Sequence, residues 1–234
     1  SIYIEAPNGN QVLVDGGSGR QVLRALGEVM PFYDQSLDVV IATHPDADHI
    51  GGLSFVLDRF AVGAVLEPGA SSETKTYQEF ERRASDGTHQ HFLARRGMRL
   101  RLDRAVMLDI LFPDQDTTVW ETNRASIVAR LVYDGTSFLL TGDSPIAIER
   151  YLISLDSAGL RSTVLKPGHH GSRTSSAPEY VAAVRPEYAV ISAGLHNRYG
   201  HPHQEVLDTL NQAKIKIFRT DEQGTIIFHS DGTT

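Results

Sequence analysis

The sequence runs Val39-Val40-Ile41-Ala42-Thr43-His44-Pro45-Asp46-Ala47-Asp48-His49. Its apolar start predicts a buried strand, and four side chains of metal-ligand type follow the end of that strand within residues 44–49. Neutral imidazole nitrogen and carboxylate oxygen are both good ligands for zinc and manganese. A solvated polar loop with scattered acids is the alternative explanation, but the dense spacing favours a divalent-metal site at His44, Asp46, Asp48 and His49.

The composition limits the classes of protein to which the chain can belong. It has 234 residues, 41% of them hydrophobic, and no cysteine. Disulfides and thiolate metal sites are therefore excluded, so any metal is held by nitrogen and oxygen. A net charge of −7 argues against a broad surface that follows nucleic-acid phosphates, although it leaves room for a nucleic-acid substrate held at one local site.

The sequence gives no sign of a targeting or membrane segment. Its apolar runs stay below the roughly 18 residues needed to span a bilayer. Ser1-Ile2-Tyr3-Ile4 is typical of the inside of a strand and not of a signal peptide. We therefore expect either a domain of a larger protein or a free-standing protein, and the oligomeric state is open.

The remaining pattern predicts strands that alternate with helices. We expect a hairpin at 2–14 around Pro7-Asn8-Gly9-Asn10, and a second at 126–141 across Asp134-Gly135. One helix should run from Asp48, as its N-cap, to Phe60, and a last strand should cover 224–229. Hairpins mixed with crossovers indicate an α/β fold of two sheets flanked by helices, and the lack of a linker indicates one domain over residues 1–234.

Three further segments place candidate ligands at the ends of predicted strands. They are Leu139-Leu140-Thr141-Gly142-Asp143, Lys166-Pro167-Gly168-His169-His170-Gly171-Ser172 and Asn197-Arg198-Tyr199-Gly200-His201-Pro202-His203. Each is weak alone, because an Asp after Gly is usually a turn or a cap and an exposed His is usually solvated. Together they favour one site, since functional residues gather on the loops at one edge of a sheet.

The motif His44-x-Asp46-x-Asp48-His49, with Thr141-Gly142-Asp143 and His169-His170-Gly171-Ser172, resembles the metallo-β-lactamase superfamily. Three more segments are similar to its ComEC-type subgroup, the hydrolase domain of a bacterial DNA-uptake channel. They are Asn8-Gly9-x-x-Val12-Leu13-Val14-Asp15-Gly16-Gly17, Asn197-Arg198-Tyr199-Gly200-His201-Pro202 and Arg219-Thr220-Asp221-Glu222-x-Gly224. The resemblance covers essentially the whole chain and implies an αββα sandwich with two divalent metal ions in a cleft along its top edge.

The resemblance also implies a role for each matching residue. His44 and Asp46 would hold one metal, and Asp48 and His49 the other, with Asp143 bridging them. Either His169 or His170 would complete the second site, and Asp48 is also a catalytic candidate. The chain departs from the superfamily twice: Asp46 replaces a usual histidine, and Thr122-Asn123 stands where a mid-chain histidine is expected. Such an oxygen-rich site shifts the preference from zinc toward manganese or magnesium.

Residues near these motifs are candidates for binding substrate, namely Asn123, Lys166, Ser172 and Tyr199. Lys166 and Ser172 could grip a phosphate, although Lys166 equally fits a surface lysine at a strand end. His201 could protonate the leaving oxygen because an imidazole pKa lies near neutral, or it could cap a helix that starts at Pro202. Asp15 is expected to stabilise a turn. No chemical role is expected for the other histidines: His89, His91, His196 and His229.

From these observations we expect a metal-dependent hydrolase that cleaves phosphodiester bonds, a DNA nuclease that uses a metal-activated hydroxide. One alternative is a β-lactam or lactone hydrolase of the same fold, against which the missing histidine argues. Another is a nucleic-acid-handling module without turnover, against which the intact Asp48, His49 and Asp143 argue. The protein would be extracytoplasmic as a domain of a ComEC-like channel and cytoplasmic if free-standing.

Overall fold

A computed structural model describes residues 1–195 and 197–233, which fall into two compact units. The first unit comprises Ser1–Arg96 and Pro113–Ile127, and the second comprises Gly97–Phe112 and Val128–Thr234. Each unit contains one mixed sheet accompanied by helices, so the expected α/β class with two sheets is confirmed. The expectation of a single domain over residues 1–234 stays a prediction.

The sheet of the first unit has the order β1-β2-β3-β4-β5 among the described residues. Its strands are β1 (Ile2–Glu5), β2 (Gln11–Val14), β3 (Ser36–Ile41), β4 (Ala61–Glu67) and β5 (Gln90–Leu93). The pair β1–β2 is the predicted antiparallel hairpin, and the strands from β2 to β5 run parallel. Because parallel strands end at the same edge, the residues that follow β2 and β3 are brought side by side.

The core of the first unit lies between this sheet and its helices. The helices are α1 (Gln21–Val29), α2 (Ala47–Ile50), α3 (Leu53–Arg59) and α4 (Lys75–Ala84). Leu13, Val40 and Val65 from the strands pack in one buried cluster with Leu26 and Phe80 from the helices. Burying the apolar face of each helix on the sheet positions the loops at the sheet edge.

The predicted single helix from Asp48 to Phe60 is wrong. The helix starts at Ala47 with Asp46 as its N-cap residue, and Gly51-Gly52 divides it into α2 and α3. The break accommodates the turn after β2, since the Gly52 N–H donates to the Gly17 carbonyl at 2.8 Å. A Cβ atom at Gly52 would collide with the Gly16 carbonyl oxygen. The glycines thus allow two backbone segments to approach more closely than any side chain permits.

The sheet of the second unit has the order β12-β11-β10-β9-β8-β7-β6 in the described part of the chain. Its strands are β6 (Arg99–Arg101), β7 (Val106–Phe112), β8 (Val128–Tyr133), β9 (Thr136–Leu140), β10 (Val164–Lys166), β11 (Tyr188–Ile191) and β12 (Lys216–Arg219). The strands from β6 to β9 pair antiparallel, including the predicted hairpin β8–β9, and the strands from β9 to β12 pair parallel. The loops after β9, β10 and β11 therefore leave one edge of this sheet.

The helices of the second unit are α5 (Ile146–Asp156), α6 (Pro178–Val184), α7 (Gln204–Gln212) and α8 (Thr220–Gln223). The predicted strand at 224–229 is wrong, because that described segment follows α8 without pairing to the sheet. Its alternating apolar residues have another cause. Phe228 packs edge-to-face on Phe138 and Phe218 of the sheet, with ring centroids 5.7 and 5.9 Å away.

Across residues 1–195 and 197–233, no helix combines the length and the apolar character needed to cross a lipid bilayer.

Candidate functional site

Two buried histidines lie at the edge of the first sheet, beyond the end of β3. His44 and His49 have side chains 1% and 4% exposed, and their ring centroids are 4.1 Å apart. His44 belongs to the loop after the strand, and His49 lies in α2. The predicted motif therefore brings its two imidazoles together inside the protein and not on a solvated loop.

Hydrogen bonds fix the tautomer of both rings. The Thr43 hydroxyl donates to Asp15 Oδ2 at 2.8 Å, so its oxygen is left to accept from His44 Nδ1–H at 3.0 Å. His49 Nδ1 lies 2.6 Å from the same Asp15 oxygen and is the donor to that carboxylate. In each neutral ring the lone pair is then on Nε2, which is the atom that a metal would take. The donor set thus fits a divalent metal.

Asp15 is the anchor of this arrangement. It also accepts the Thr43 backbone N–H at 2.8 Å. Burial by itself would raise the pKa of Asp15, but the charge and hydrogen bond of His49 hold that pKa below its ordinary value. Asp15 is therefore an ionised carboxylate that orients the histidines. This role goes beyond the turn expected from sequence, and its only sequence signal is a position just after β2.

The two carboxylates of the motif lie on the rim of the same cluster. Asp46, the N-cap of α2, places Oδ2 3.8 Å from His44 Nε2. Asp48 lies in the first turn of α2 and is exposed. Asp46 thus stands beside the ring nitrogen that a metal would use, and its role as a ligand stays a prediction.

The second unit carries its own cluster, at the edge where β9, β10 and β11 end. Asp143 is buried in the loop after β9, and His170 Nε2 lies 3.4 Å from its Oδ2 atom. The Nδ1–H of His170 donates to the Ser192 carbonyl at 2.7 Å. In a neutral ring this leaves a lone pair on Nε2 facing the carboxylate, and two facing acceptors are an arrangement that a bridging cation fits.

The two adjacent histidines of this loop face different partners. His169 Nδ1 lies 3.1 Å from the Thr174 hydroxyl, whereas His170 faces Asp143. Both residues have positive φ values, 49° and 56°, so the backbone turns sharply between them. The structure thus distinguishes two residues that the sequence left as equivalent candidates.

Lys166 lies against Asp143. Its Nζ atom is 3.4 Å from Asp143 Oδ1 and donates to the Gly142 carbonyl at 2.5 Å. The side chain is 11% exposed, so it is not the surface lysine that the sequence left open. A cation at this position partly balances the buried charge of Asp143.

His201 lies among the aromatic rings of the second cluster. It stacks on Tyr199 and His170, with centroids 5.7 and 6.3 Å away. Burial and the charges of His203 and other histidines lower the pKa of His201 to about 4, so the ring is neutral at pH 7. This pKa is lower than the near-neutral value expected from sequence, and the role of His201 as proton donor stays a prediction. The capping alternative is wrong, because α7 starts at Gln204 with His203 as its N-cap.

The other substrate-binding candidates lie at separate places. Asn123 begins a 3₁₀ turn, and its backbone N–H donates to Glu121 Oε1 at 3.2 Å. Ser172 is buried and accepts from the Thr174 hydroxyl at 3.0 Å. Tyr199 is 59% exposed, with the Arg198 guanidinium 4.8 Å from its ring centroid. These roles stay predictions, and His196 lies outside the described residues.

Two mixed sheets with helices, and histidine and aspartate clusters where strands end, are features of metal-dependent α/β hydrolases. The family profile of the metallo-β-lactamase superfamily matches residues 1–195. The chain belongs to this superfamily of metal-dependent hydrolases, and the expected fold is confirmed.

Curated relatives include three bacterial or archaeal proteins that are 32–33% identical to this chain. ComE operon protein 3 of Bacillus subtilis (strain 168) is 32% identical over 244 residues, which cover 97% of this chain and 31% of that protein. Competence protein ComA of Neisseria gonorrhoeae is 33% identical over 192 residues, which cover 82% of this chain and 25% of that protein. Ribonuclease Z of Aeropyrum pernix is 32% identical over 139 residues, which cover 57% of this chain and 43% of that protein. The chain thus spans about a third or less of ComE operon protein 3 and of competence protein ComA.

Solved structures agree in fold. Igni18, a metallo hydrolase from Ignicoccus hospitalis, superposes with a TM-score of 0.56 at 17% identity, covering 93% of this chain and 89% of that one. CmlA, a diiron β-hydroxylase from Streptomyces venezuelae, gives a TM-score of 0.58 at 14% identity, covering 90% and 49%.

Proposed function

We propose that this chain is a metal-dependent phosphodiesterase that cleaves nucleic-acid strands, with DNA as the substrate. One relative is named as a competence protein and another as a ribonuclease, and both names support a nucleic-acid substrate. Action as part of a larger DNA-uptake protein belongs to the same proposal, since ComE operon protein 3 and ComA are about three or four times as long as their matched part.

The observation that carries the proposal is the fixed tautomer of His44 and His49. Asp15 and Thr43 hold both Nδ1 atoms, at 2.6 and 3.0 Å, so that both Nε2 lone pairs serve as ligands. Asp46 adds a carboxylate 3.8 Å from His44 Nε2. An oxygen-rich donor set of this kind suits manganese, with zinc and magnesium as further options.

We extend the ligand assignment to both clusters, as the superfamily motif implies. His44, Asp46, Asp48 and His49 of the first unit and Asp143 and His170 of the second are the proposed ligands, with two divalent ions bound. When bound, such ions supply Lewis acidity, which makes water a nucleophile near neutral pH and stabilises charge on the phosphate.

The chain's own residues would bind and orient the substrate. Lys166, beside Asp143, keeps a positive charge next to the buried carboxylate and favours an anionic substrate. Tyr199 presents an exposed ring on which a base can stack. His201 is neutral at pH 7 and would accept a hydrogen bond from substrate or water.

The test is cleavage of defined substrates by the metal-free protein to which single metals are added back. We expect cleavage of labelled single-stranded DNA with Mn²⁺, and loss of cleavage in Asp48→Asn, an exposed ligand whose replacement leaves the core intact. Asp208→Asn, an exposed aspartate on α7, is the matched control and should cleave like the parent.

The outcomes separate the alternatives. Cleavage of RNA but not of DNA would show that the enzyme is a phosphodiesterase with RNA as its substrate. Hydrolysis of nitrocefin with Zn²⁺, without cleavage of DNA, would show that the enzyme is a β-lactam hydrolase. A metal-loaded protein inert on all three substrates would overturn the enzymatic proposal.

A further inference from the structure

A second group of metal-ligand side chains lies in the first unit, away from the sequence motif. Glu67 ends β4, His91 belongs to the neighbouring strand β5, and Glu81 belongs to α4. One ligand atom from each lies within 4.8 Å of the other two. Three neighbouring elements of the fold therefore direct two carboxylates and one imidazole at the same point.

Burial makes this group costly without a cation. Glu67 is 5% exposed, and the Oε2 atom of Glu81 is buried with no hydrogen bond to it among the described residues, while the Tyr77 hydroxyl lies near the same carboxylate. Burial and the nearby charge of Glu81 raise the pKa of Glu67 to about 7, although the positive charge of Arg95 acts in the opposite direction and offsets only part of the rise. A buried carboxylate oxygen that lacks a proton donor is normally compensated by a positive charge or an ion.

The hydrogen bonds around His91 indicate where that charge belongs. The Ser85 hydroxyl donates to Glu81 Oε1 at 2.6 Å, so its oxygen accepts from His91 Nδ1–H, 3.4 Å away. The lone pair of a neutral His91 ring is then on Nε2, which lies 3.1 Å from Glu67 Oε1. With Glu67 ionised, this nitrogen and the carboxylate are two acceptors that face each other beside the Glu81 oxygen, an arrangement that either a shared proton or a metal cation satisfies.

We propose that Glu67, Glu81 and His91 bind one divalent transition-metal ion, Zn²⁺ or Mn²⁺. One imidazole and two carboxylates form an N/O donor set that suits these ions better than Ca²⁺, which prefers oxygen alone. The ligands of a tetrahedral ion lie roughly 3.3 Å apart, so small side-chain rotations close the site around the metal. The ion ties α4 to β4 and β5.

The first test is metal content. After equilibration with Zn²⁺ and gel filtration, Glu81→Gln and His91→Gln should each hold about one equivalent less than the parent by mass spectrometry. Glu73→Gln, an exposed glutamate just before α4, is the matched control and should hold as much as the parent. Equal metal content in all four proteins would overturn the proposal. The difference in metal content between parent and variant reports only the ion held by these three residues. The test therefore does not depend on how many ions the motif at residues 44–49 binds.

The second test is thermal unfolding of the same proteins. In the metal-free state, Glu81→Gln should unfold at the same or a higher temperature than the parent, because it removes repulsion between two carboxylates. Added Zn²⁺ should raise the unfolding temperature of the parent and of Glu73→Gln by more than that of Glu81→Gln. An equal rise in all three would contradict the proposal, and Ca²⁺ should give a smaller difference than Zn²⁺.

A readout on the unsubstituted protein avoids any doubt about folding. With ¹⁵N-labelled histidine, added Zn²⁺ should shift the Nε2 resonance of His91, assigned with His91→Gln. The exposed His229 provides the reference, and its resonance should not move. An unmoved His91 resonance at saturating Zn²⁺ would exclude coordination by this ring.

Discussion

Asp15 Oδ2 lies 2.6 Å from His49 Nδ1, which links the end of β2 to a residue of α2 across 34 positions of sequence. The same carboxylate accepts two hydrogen bonds from Thr43, at 2.8 Å each. One buried acid thus sets the orientation of both proposed histidine ligands, directly for His49 and through Thr43 for His44.

The first prediction concerns this acid. Asp15→Asn keeps the shape of the side chain but removes its charge. Its amide group has only one oxygen, so it can no longer accept hydrogen bonds from the Thr43 N–H, the Thr43 hydroxyl and the His49 Nδ1–H together. Metal affinity should fall by about 10- to 100-fold, the usual effect of removing a group that orients a histidine ligand. Competition with a chromophoric chelator measures the affinity, with Asp208→Asn as control. Parent-like affinity in Asp15→Asn would show that Asp15 serves only the turn.

The second prediction separates the adjacent histidines. His170 faces Asp143 at 3.4 Å, whereas His169 faces Thr174. His170→Ala should therefore weaken metal binding by roughly tenfold or more, and His169→Ala should change it little. Calorimetric titration with Mn²⁺ measures both. The reverse order of effects would assign the ligand to His169.

The third prediction concerns the pH dependence of His201. With a pKa lowered to about 4, the ring has lost its proton well below pH 6. Between pH 5.5 and pH 8, kcat/KM for a chromogenic phosphodiester should show no descending limb from this residue. His201→Ala should then lower the rate by the same factor at each pH. A descending limb with a midpoint near 6.5 that disappears in His201→Ala would contradict the lowered pKa and support the expected role of proton donor.

Much of the fold and of the candidate site follows from local sequence. Turn residues predict the hairpins, and the alternation of apolar and polar residues predicts the strands. In β7, for example, every second residue is buried: Val106, Leu108, Ile110 and Phe112. The position of the ligand motifs is predictable because parallel strands end at one edge. His44 and Asp143 are therefore found after β3 and β9, as expected.

The remaining features depend on contacts between distant segments. The break between α2 and α3 depends on close contact with the turn at Gly16-Gly17, and the sequence of the helix itself does not reveal that contact. The role of Asp15 requires a partner 34 residues away, and the pKa of His201 requires burial among other histidines. At residues 224–229, the alternation of apolar and polar residues predicts a paired strand. The apolar Phe228 instead packs on one face of the sheet without strand pairing.

The last prediction uses a buried acid of the second unit. Glu149 on α5 is 1% exposed and accepts the backbone N–H groups of Ser176 and Ala177, at 2.5 and 2.9 Å, just before α6. Burial raises the pKa of Glu149 to about 7, although the two hydrogen bonds act in the opposite direction. Because the folded pKa lies above the unfolded value, its contribution to stability is present below about pH 4.5 and is lost as the pH rises through 7.

Glu149→Gln removes this titration. At pH 5 the variant should be less stable than the parent by about 1–3 kcal/mol, because its amide NH₂ group faces one of the two backbone N–H donors. The free energy of unfolding of the parent, relative to this variant, should fall by up to about 3 kcal/mol from pH 5 to pH 8. Urea unfolding at both pH values measures the difference. Glu179→Gln is the control: Arg150 lowers the pKa of Glu179, so that acid is ionised throughout the range. A pH-independent difference between the parent and Glu149→Gln would show that Glu149 is ionised in the folded protein from pH 5 upward.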